Sequence, residues 1–301
     1  MTPLQRYIAE EIATDHVDGL LSRREAMRRL ALLGVGASAA TALIAACGSN
    51  PAQPTPASTE TATPAASAPP GMDTALETAA ITWAGPKGEL QGAWAQAAEP
   101  KGAILVIHEN KGLNDWVRTV AGRLAGVGYS SLAIDLLSEN GGTATFADPA
   151  EATAALGNRA PEDMVADLKS GIGEVSARTP GANVAAVGFC MGGGLVWRLL
   201  AAGTPELAAA FPFYGPTPDD PDFAGSKDVA VLGFYGELDQ RVNAGEPVAR
   251  AALERAGLVH ELVTEPGANH AFFNDTGDRY DAGAAADAWR RTLDWLSVHV
   301  G

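Results

Sequence analysis

Between residues 72 and 301 the apolar positions form short unbroken runs separated by longer amphipathic stretches. Ala103-Ile104-Leu105-Val106-Ile107 has no polar member, the pattern of a strand buried on both faces. Ser130 to Ile134, Val184 to Val187, Ala208 to Phe213, Val229 to Phe234 and His260 to Val263 predict further strands. Helical signals fill the intervals: Asp115 to Ala125, Pro161 to Arg178, Gly192 to Ala202, Glu246 to Ala256, and Ala282 to Leu296. Pro161 suits a first helical position, where no N–H is needed, and Glu162 and Asp163 follow it into the positive first turn. Strand and helix in alternation require right-handed crossovers. The pattern therefore predicts one α/β domain, a mostly parallel central sheet with helices on both faces. Two earlier runs, near Ile81 and from Leu90 to Ala95, predict an antiparallel hairpin at the sheet edge.

The residues before this domain follow neither pattern. Ser22-Arg23-Arg24-Glu25 and Arg28-Arg29 precede an uncharged run, Leu30 to Ala46, rich in Ala and Gly. Positive charge followed by a short apolar stretch is the order of a secretory signal. The run is too short and too weakly apolar for a spanning helix. It ends in Ile44-Ala45-Ala46-Cys47, which resembles the lipobox of bacterial lipoproteins, and Ser22-Arg23-Arg24 resembles a twin-arginine export signal. Those resemblances imply an exported chain whose Cys47 carries lipid, placed on the extracytoplasmic face of a bacterial membrane. The route, twin-arginine or general, stays open on these residues. Residues 48–71 are mostly Pro, Ala, Thr and Ser, cannot bury enough apolar surface to hold a fold, and read as a disordered tether. Three parts result: 1–47, 48–71 and 72–301.

One string within the first part misleads. Gly34-Val35-Gly36-Ala37-Ser38-Ala39 fits the dinucleotide fingerprint G-x-G-x-x-A, but an Arg-rich amphipathic stretch precedes it where that motif needs a strand.

Composition narrows the function classes. Against 36 Asp+Glu there are 21 Lys+Arg, a net charge of −15, which repels a phosphate backbone and argues against nucleic acid as a partner. The 2 cysteines, Cys47 and Cys190, rule out a disulfide scaffold. His16, His108, His260, His270 and His299 lie far apart without paired cysteines, so no zinc-type spacing exists and no metal or cofactor is called for.

The chemistry-bearing residues sit at the ends of the predicted strands. Gly188-Phe189-Cys190-Met191-Gly192 joins a strand to a helix in the spacing G-x-S-x-G of a nucleophile elbow, with sulfur in place of the hydroxyl. The sharp turn strains the backbone at the nucleophile, and only small neighbours fit around it. The helix N-terminus favours negative charge on the thiol and on a nearby oxyanion. Asp239 follows the strand ending at Phe234, and His270 follows the strand ending at Val263. Nucleophile, acid and histidine stand in the chain order of α/β-hydrolases. In that arrangement His270 takes a proton from Cys190, and Asp239 fixes the tautomer of the imidazole.

At these residues the chain resembles the dienelactone hydrolase (carboxymethylenebutenolidase) family. Gly188 to Gly193, Gly236-Glu237-Leu238-Asp239, Gly267-Ala268-Asn269-His270-Ala271-Phe272 and Val106-Ile107-His108-Glu109-Asn110-Lys111-Gly112-Leu113-Asn114 carry the resemblance. It implies an α/β-hydrolase fold over essentially all of 72–301, a small ester or lactone as substrate, and an acyl-enzyme on Cys190. It also implies that Glu109 helps activate the thiol and that the backbone N–H groups of Asn110 and Met191 form the oxyanion hole. Family members that open dienelactones carry Arg four residues after the histidine to bind the substrate carboxylate. This chain has Asn274 there, with Arg279, Arg118 and Arg159 as other cations in the sequence. A general carboxylesterase or thioesterase, or a non-catalytic binding lipoprotein on the same fold, are the alternative readings.

Overall fold

The computed structural model describes residues 1–48 and 68–301. In chain order its helices are α1 (Pro3–Val17), α2 (Arg23–Leu32), α3 (Ala37–Gly48), α4 (Asp115–Gly126), α5 (Pro149–Gly157), α6 (Pro161–Arg178), α7 (Met191–Ala201), α8 (Gln240–Asn243), α9 (Glu246–Ala256) and α10 (Ala282–His299). Its strands are β1 (Ala79–Ala84), β2 (Glu89–Ala95), β3 (Gly102–Ile107), β4 (Tyr129–Asp135), β5 (Val184–Phe189), β6 (Leu207–Phe213), β7 (Ala230–Gly236) and β8 (His260–Glu265). Contacts divide the chain into two units. One comprises Met1–Ala68 with Phe146–Arg159, and the other Pro69–Thr145 with Ala160–Gly301.

The larger unit holds an eight-stranded sheet in the order β1-β2-β4-β3-β5-β6-β7-β8. The pairs β1/β2 and β2/β4 are antiparallel, and all others are parallel. The edge hairpin and every strand expected from the apolar runs are present. β3, β4, β5 and β7 are buried at every position, as their unbroken runs require.

Strand order explains the placement of helices. From β3 the chain moves to β4 on one side, then returns past β3 to β5, so right-handed crossovers put α4 and α6 on opposite faces. Packing agrees: α6 touches α7, while Gly71 lies against both Trp289 of α10 and Arg123 of α4. Because the chain leaves β3 and β5 in opposite directions, their C-terminal ends open the crevice where doubly wound sheets bind ligands. Glu109 follows β3, and Cys190 follows β5.

The smaller unit was not legible as a fold. Its helix α1 begins with a capping box between Thr2 and Gln5, and α2 with Ser22 accepting from the Glu25 N–H. The uncharged run read as a signal is not one helix, since Gly34 adopts a left-handed φ of 81° between α2 and α3. No helix among the described residues is long and apolar enough to cross a membrane. Residues 146–159, which the sequence pattern assigns to the 72–301 domain, group with the N-terminal helices instead. The reason is apolar packing: α5 buries Ala150, Ala152, Ala154 and Leu156. Gly157 leaves room for Leu33 and Ile8, the former 2.6 Å from where a Cβ would stand. Gln5 Nε2 donates to Asn158 Oδ1 at 2.8 Å, and Arg28 bridges to Asp148 at 2.7 Å. The tether read at 48–71 falls mainly on 49–67, outside the described residues.

Candidate active site

The geometry begins with strain. Among the described residues four non-glycines have positive φ, and three of them surround one point: Cys190 (56°), Tyr214 (36°) and Ala271 (61°). Cys190 stands between β5 and α7 with ψ −118°, and its N–H donates to the Phe213 carbonyl at 3.0 Å. Such backbone is retained where surrounding structure over-determines it, as at an elbow that aims a nucleophile. The flanking glycines are obligatory. A Cβ on Gly188 would lie 2.2 Å from the Gly192 carbonyl oxygen, and one on Gly192 would lie 2.4 Å from that of Ile107.

Asp239 and His270 arrive from neighbouring strands. β7 and β8 pair through Gly236 and Glu265, and the Leu238 N–H donates to Ala268 O at 2.9 Å, drawing the acid's turn against the histidine's loop. His270 Nδ1 then meets Asp239 Oδ2 at 2.5 Å with both side chains buried. A ring nitrogen of His270 lies within 4.8 Å of Cys190 Sγ. Burial works to raise the Asp239 carboxyl, but His270, Arg241 and the Val242 N–H outweigh it and hold it below the usual carboxylate range. Asp239 therefore stays anionic beside the imidazole.

Glu109 follows β3 and is buried. Its Oε2 accepts from Asn274 Nδ2 at 2.8 Å, and the Tyr214 hydroxyl stands 3.4 Å from Oε1. Tyr214 is fully buried, and its hydroxyl is pushed well above the usual range by burial and by the charges of Glu109 and Cys190. It remains a phenol and a donor. Its ring also meets that of His270 edge-on at 5.2 Å. The motifs in the sequence did not single out Tyr214, although its position immediately after β6 is the same kind of signal that marks Cys190 and Asp239.

Backbone donors come from two adjacent turns. β3 and β5 pair through Ile107 and Gly188, so the turn bearing Asn110 neighbours the start of α7 at Met191. The first N–H groups of a helix have no intrahelical acceptor. His108 supports the Asn110 side: the Leu136 N–H donates to His108 Nε2 at 3.1 Å, so Nδ1 carries the hydrogen and donates to the Glu109 carbonyl at 2.6 Å. Of the other cations considered, Arg118 is half-buried on α4, Arg279 is half-buried in the loop after His270, and Arg159 belongs to the smaller unit.

The model of the dienelactone hydrolase family matches residues 90–300. The chain belongs to the dienelactone hydrolase family. Its members are carboxylic ester hydrolases on the α/β-hydrolase fold. A relative from Escherichia coli (strain K12), named "Putative carboxymethylenebutenolidase", is 32% identical over 219 residues, covering 68% of this chain and 80% of its own length. A relative of the same name from Saccharolobus solfataricus is 31% identical over 232 residues, 65% of this chain and 89% of that protein. Among solved structures, a dienelactone hydrolase-like promiscuous phosphotriesterase from metagenomic libraries is 25% identical with a TM-score of 0.64, covering 75% of this chain and 100% of its own. The dienelactone hydrolase of Anabaena variabilis, at 18% identity and TM-score 0.58, shares the fold; 75% of this chain covers 99% of that one.

A further titratable group lies at the base of the loop that carries His270. Glu265, at the end of β8, is 3% exposed. Burial, then Asp287 and Asp281, push its carboxyl from 4.5 up to about 7. The raised value favours the protonated form in the folded chain. The associated stability is complete below about pH 4.5 and is lost as pH rises through about 7. Glu265→Gln, neutral at every pH, flattens that decline by about 1 kcal/mol once solvent and the neighbouring arginines are allowed to screen it. Melting temperatures of both proteins across pH 4.5–8 measure the difference in slope.

Proposed function

We propose that this chain hydrolyses a small ester or lactone of the dienelactone type through an acyl-enzyme on Cys190. The observation that supports it is one juxtaposition: a strained cysteine at a helix N-terminus, a His270 nitrogen within 4.8 Å, and Asp239 on Nδ1 at 2.5 Å. Cys190 passes its proton to His270, with Glu109 taking part in thiol activation, and Sγ attacks the acyl carbon. The N–H groups of Asn110 and Met191 hold the oxyanion, where fixed dipoles are most effective. Collapse breaks the bond to the alcohol oxygen, which takes the proton from His270. Water, deprotonated by His270, then attacks the thioester and releases the acid and the thiol. A thioester substrate would pass through the same steps, so a general carboxylesterase or thioesterase is the second reading.

Asn274 offers no guanidinium to a substrate carboxylate. The position that carries a cation in dienelactone-opening relatives here holds an amide, and that amide is engaged by Glu109. The test is trapping: brief acid quench during p-nitrophenyl acetate turnover leaves acetate on the peptide bearing Cys190, read by mass spectrometry. Turnover with no adduct on that peptide would sink the proposal.

We also propose that 1–47 directs export and that Cys47 becomes a lipid-bearing N-terminus. Arg23-Arg24, the uncharged run and Ala45-Ala46-Cys47 support this in their order. In the structure α1 and α2 pack with α5. Intact mass of the protein from a bacterial membrane fraction is expected to show loss of residues 1–46 with a diacylglyceryl increment. A full-length mass would overturn it.

A further inference from the structure

Asn274 is oriented by more than its contact with Glu109. Its Oδ1 accepts from both the N–H and the hydroxyl of Thr276, at 3.0 and 2.7 Å, so the amide cannot turn over and Nδ2 faces the carboxylate. The next residue, Asp275, is clamped from α4. Arg123 Nη2 reaches both its oxygens at 2.8 and 3.0 Å, and Trp116 Nε1 donates to Oδ1 at 2.8 Å. Arg123 is 1% exposed, so this pair is shielded from water and salt. Thr119 accepts from the same Nη2 at 3.1 Å, completing the grip from within α4. Trp116 also meets Phe189, the residue before the nucleophile, edge-on at 5.1 Å. Thus one face of α4 holds both the elbow and the segment opposite it.

We infer that Arg123, Asp275 and Trp116 form a positioning cluster for the Glu109 carboxylate, acting through Asn274. The inference rests on the proposed role of Glu109 at the Cys190 thiol. The physical argument is rigidity. A carboxylate is only as well placed as the donors that hold it, and the Asn274 donor sits on a loop of turns without a strand or helix of its own. The buried ion pair supplies the anchor that the loop lacks, at the residue next to the donor. The charge of Asp275 is also among the groups that raise the Tyr214 hydroxyl, so the anchor lies close to the second donor as well. Breaking the pair keeps the Asn274 side chain but loosens the segment that carries it, which moves Glu109 relative to the thiol.

The test uses thiol alkylation, which does not require ester turnover. The rate of Cys190 carboxamidomethylation by iodoacetamide is measured against pH in wild type, Asp275→Asn, Asn274→Ala and the double variant, with Glu109→Gln as control. Asp275→Asn keeps the shape and an acceptor for Trp116 while removing the charge. It is expected to move the alkylation midpoint to higher pH and to lower kcat for p-nitrophenyl acetate about tenfold with little change in KM. Asn274→Ala does the same, and adding Asp275→Asn to it produces no further shift, because the two act in series. If Asp275→Asn is too unstable to assay, Arg123→Lys, which keeps the charge but loses the two-oxygen grip, gives a smaller shift in the same direction. An unmoved midpoint despite a lowered melting temperature overturns the inference, as does an equal shift in the Asn274→Ala background. If Glu109→Gln itself leaves the profile unmoved, the role of Glu109 falls and the inference with it.

Discussion

Cys190→Ala is expected to lose ester turnover by about a millionfold while the protein keeps its fold, the scale seen when a covalent nucleophile is removed from an intact site. Stability should scarcely change. Alanine is only a sulfur atom smaller, and it inherits the same φ of 56°, so the strain at the elbow is neither relieved nor increased. That separation makes the variant informative: kcat collapses, and the melting temperature does not. Cys190→Gly supplies the complementary control. It also removes the thiol, yet glycine occupies positive φ without strain, so its melting temperature rises above that of Cys190→Ala by an amount worth about 1 kcal/mol. Rates with p-nitrophenyl acetate and thermal melts of the three proteins decide the matter. Retained turnover in either variant contradicts a covalent role for Cys190.

Gly192→Ala is expected to damage fold and activity together. Its Cβ would stand 2.4 Å from the Ile107 carbonyl oxygen and 2.6 Å from that of His108. Both neighbours are backbone in a buried strand end, so neither can swing aside as a flexible side chain does. The first turn of α7 must move instead, and it carries Cys190 and the Met191 N–H with it. Overpacking of this kind costs about 1–3 kcal/mol, and displacement of about 1 Å at a reacting group costs about a hundredfold in rate. Gly173 on α6 is the contrast, since a Cβ there would meet nothing within 4 Å. Gly173→Ala should leave activity unchanged and stabilise the helix by up to about 1 kcal/mol. Urea unfolding midpoints and initial rates of the two variants measure both effects. Equal behaviour of the two would mean that the close approach of α7 to β3 is not rigid.

Cys190 and Gly192 are legible in the amino-acid sequence because their signals are local. An unbroken apolar run such as 103–107 announces a buried strand because both of its faces must be covered. Gly188 and Gly192 announce a tight strand-to-helix turn because only glycine fits there. Helix α5 carries little periodic signal because Pro149 to Gly157 is short and rich in alanine. Its local marks are confined to its start: Asp148, whose side chain accepts from the Ala150 N–H, then Pro149 and Glu151 in the first turn. What α5 packs against lies more than a hundred residues earlier in the chain, so no periodicity within it could assign it to the N-terminal unit.

The same distinction runs through the active site. Sequence by itself determined the α/β class and marked Cys190, Asp239 and His270 as candidates, because each follows a strand and the C-terminal ends of such strands share one edge of the sheet. Only the tertiary structure decided what surrounds Glu109. Tyr214 is 105 residues from it and Asn274 is 165, and the charge that steadies Asn274's neighbour comes from Arg123 on another helix, 152 residues away. A hydrogen bond depends on distance and direction in space, which a chain acquires only when strand order and helix packing have closed around it.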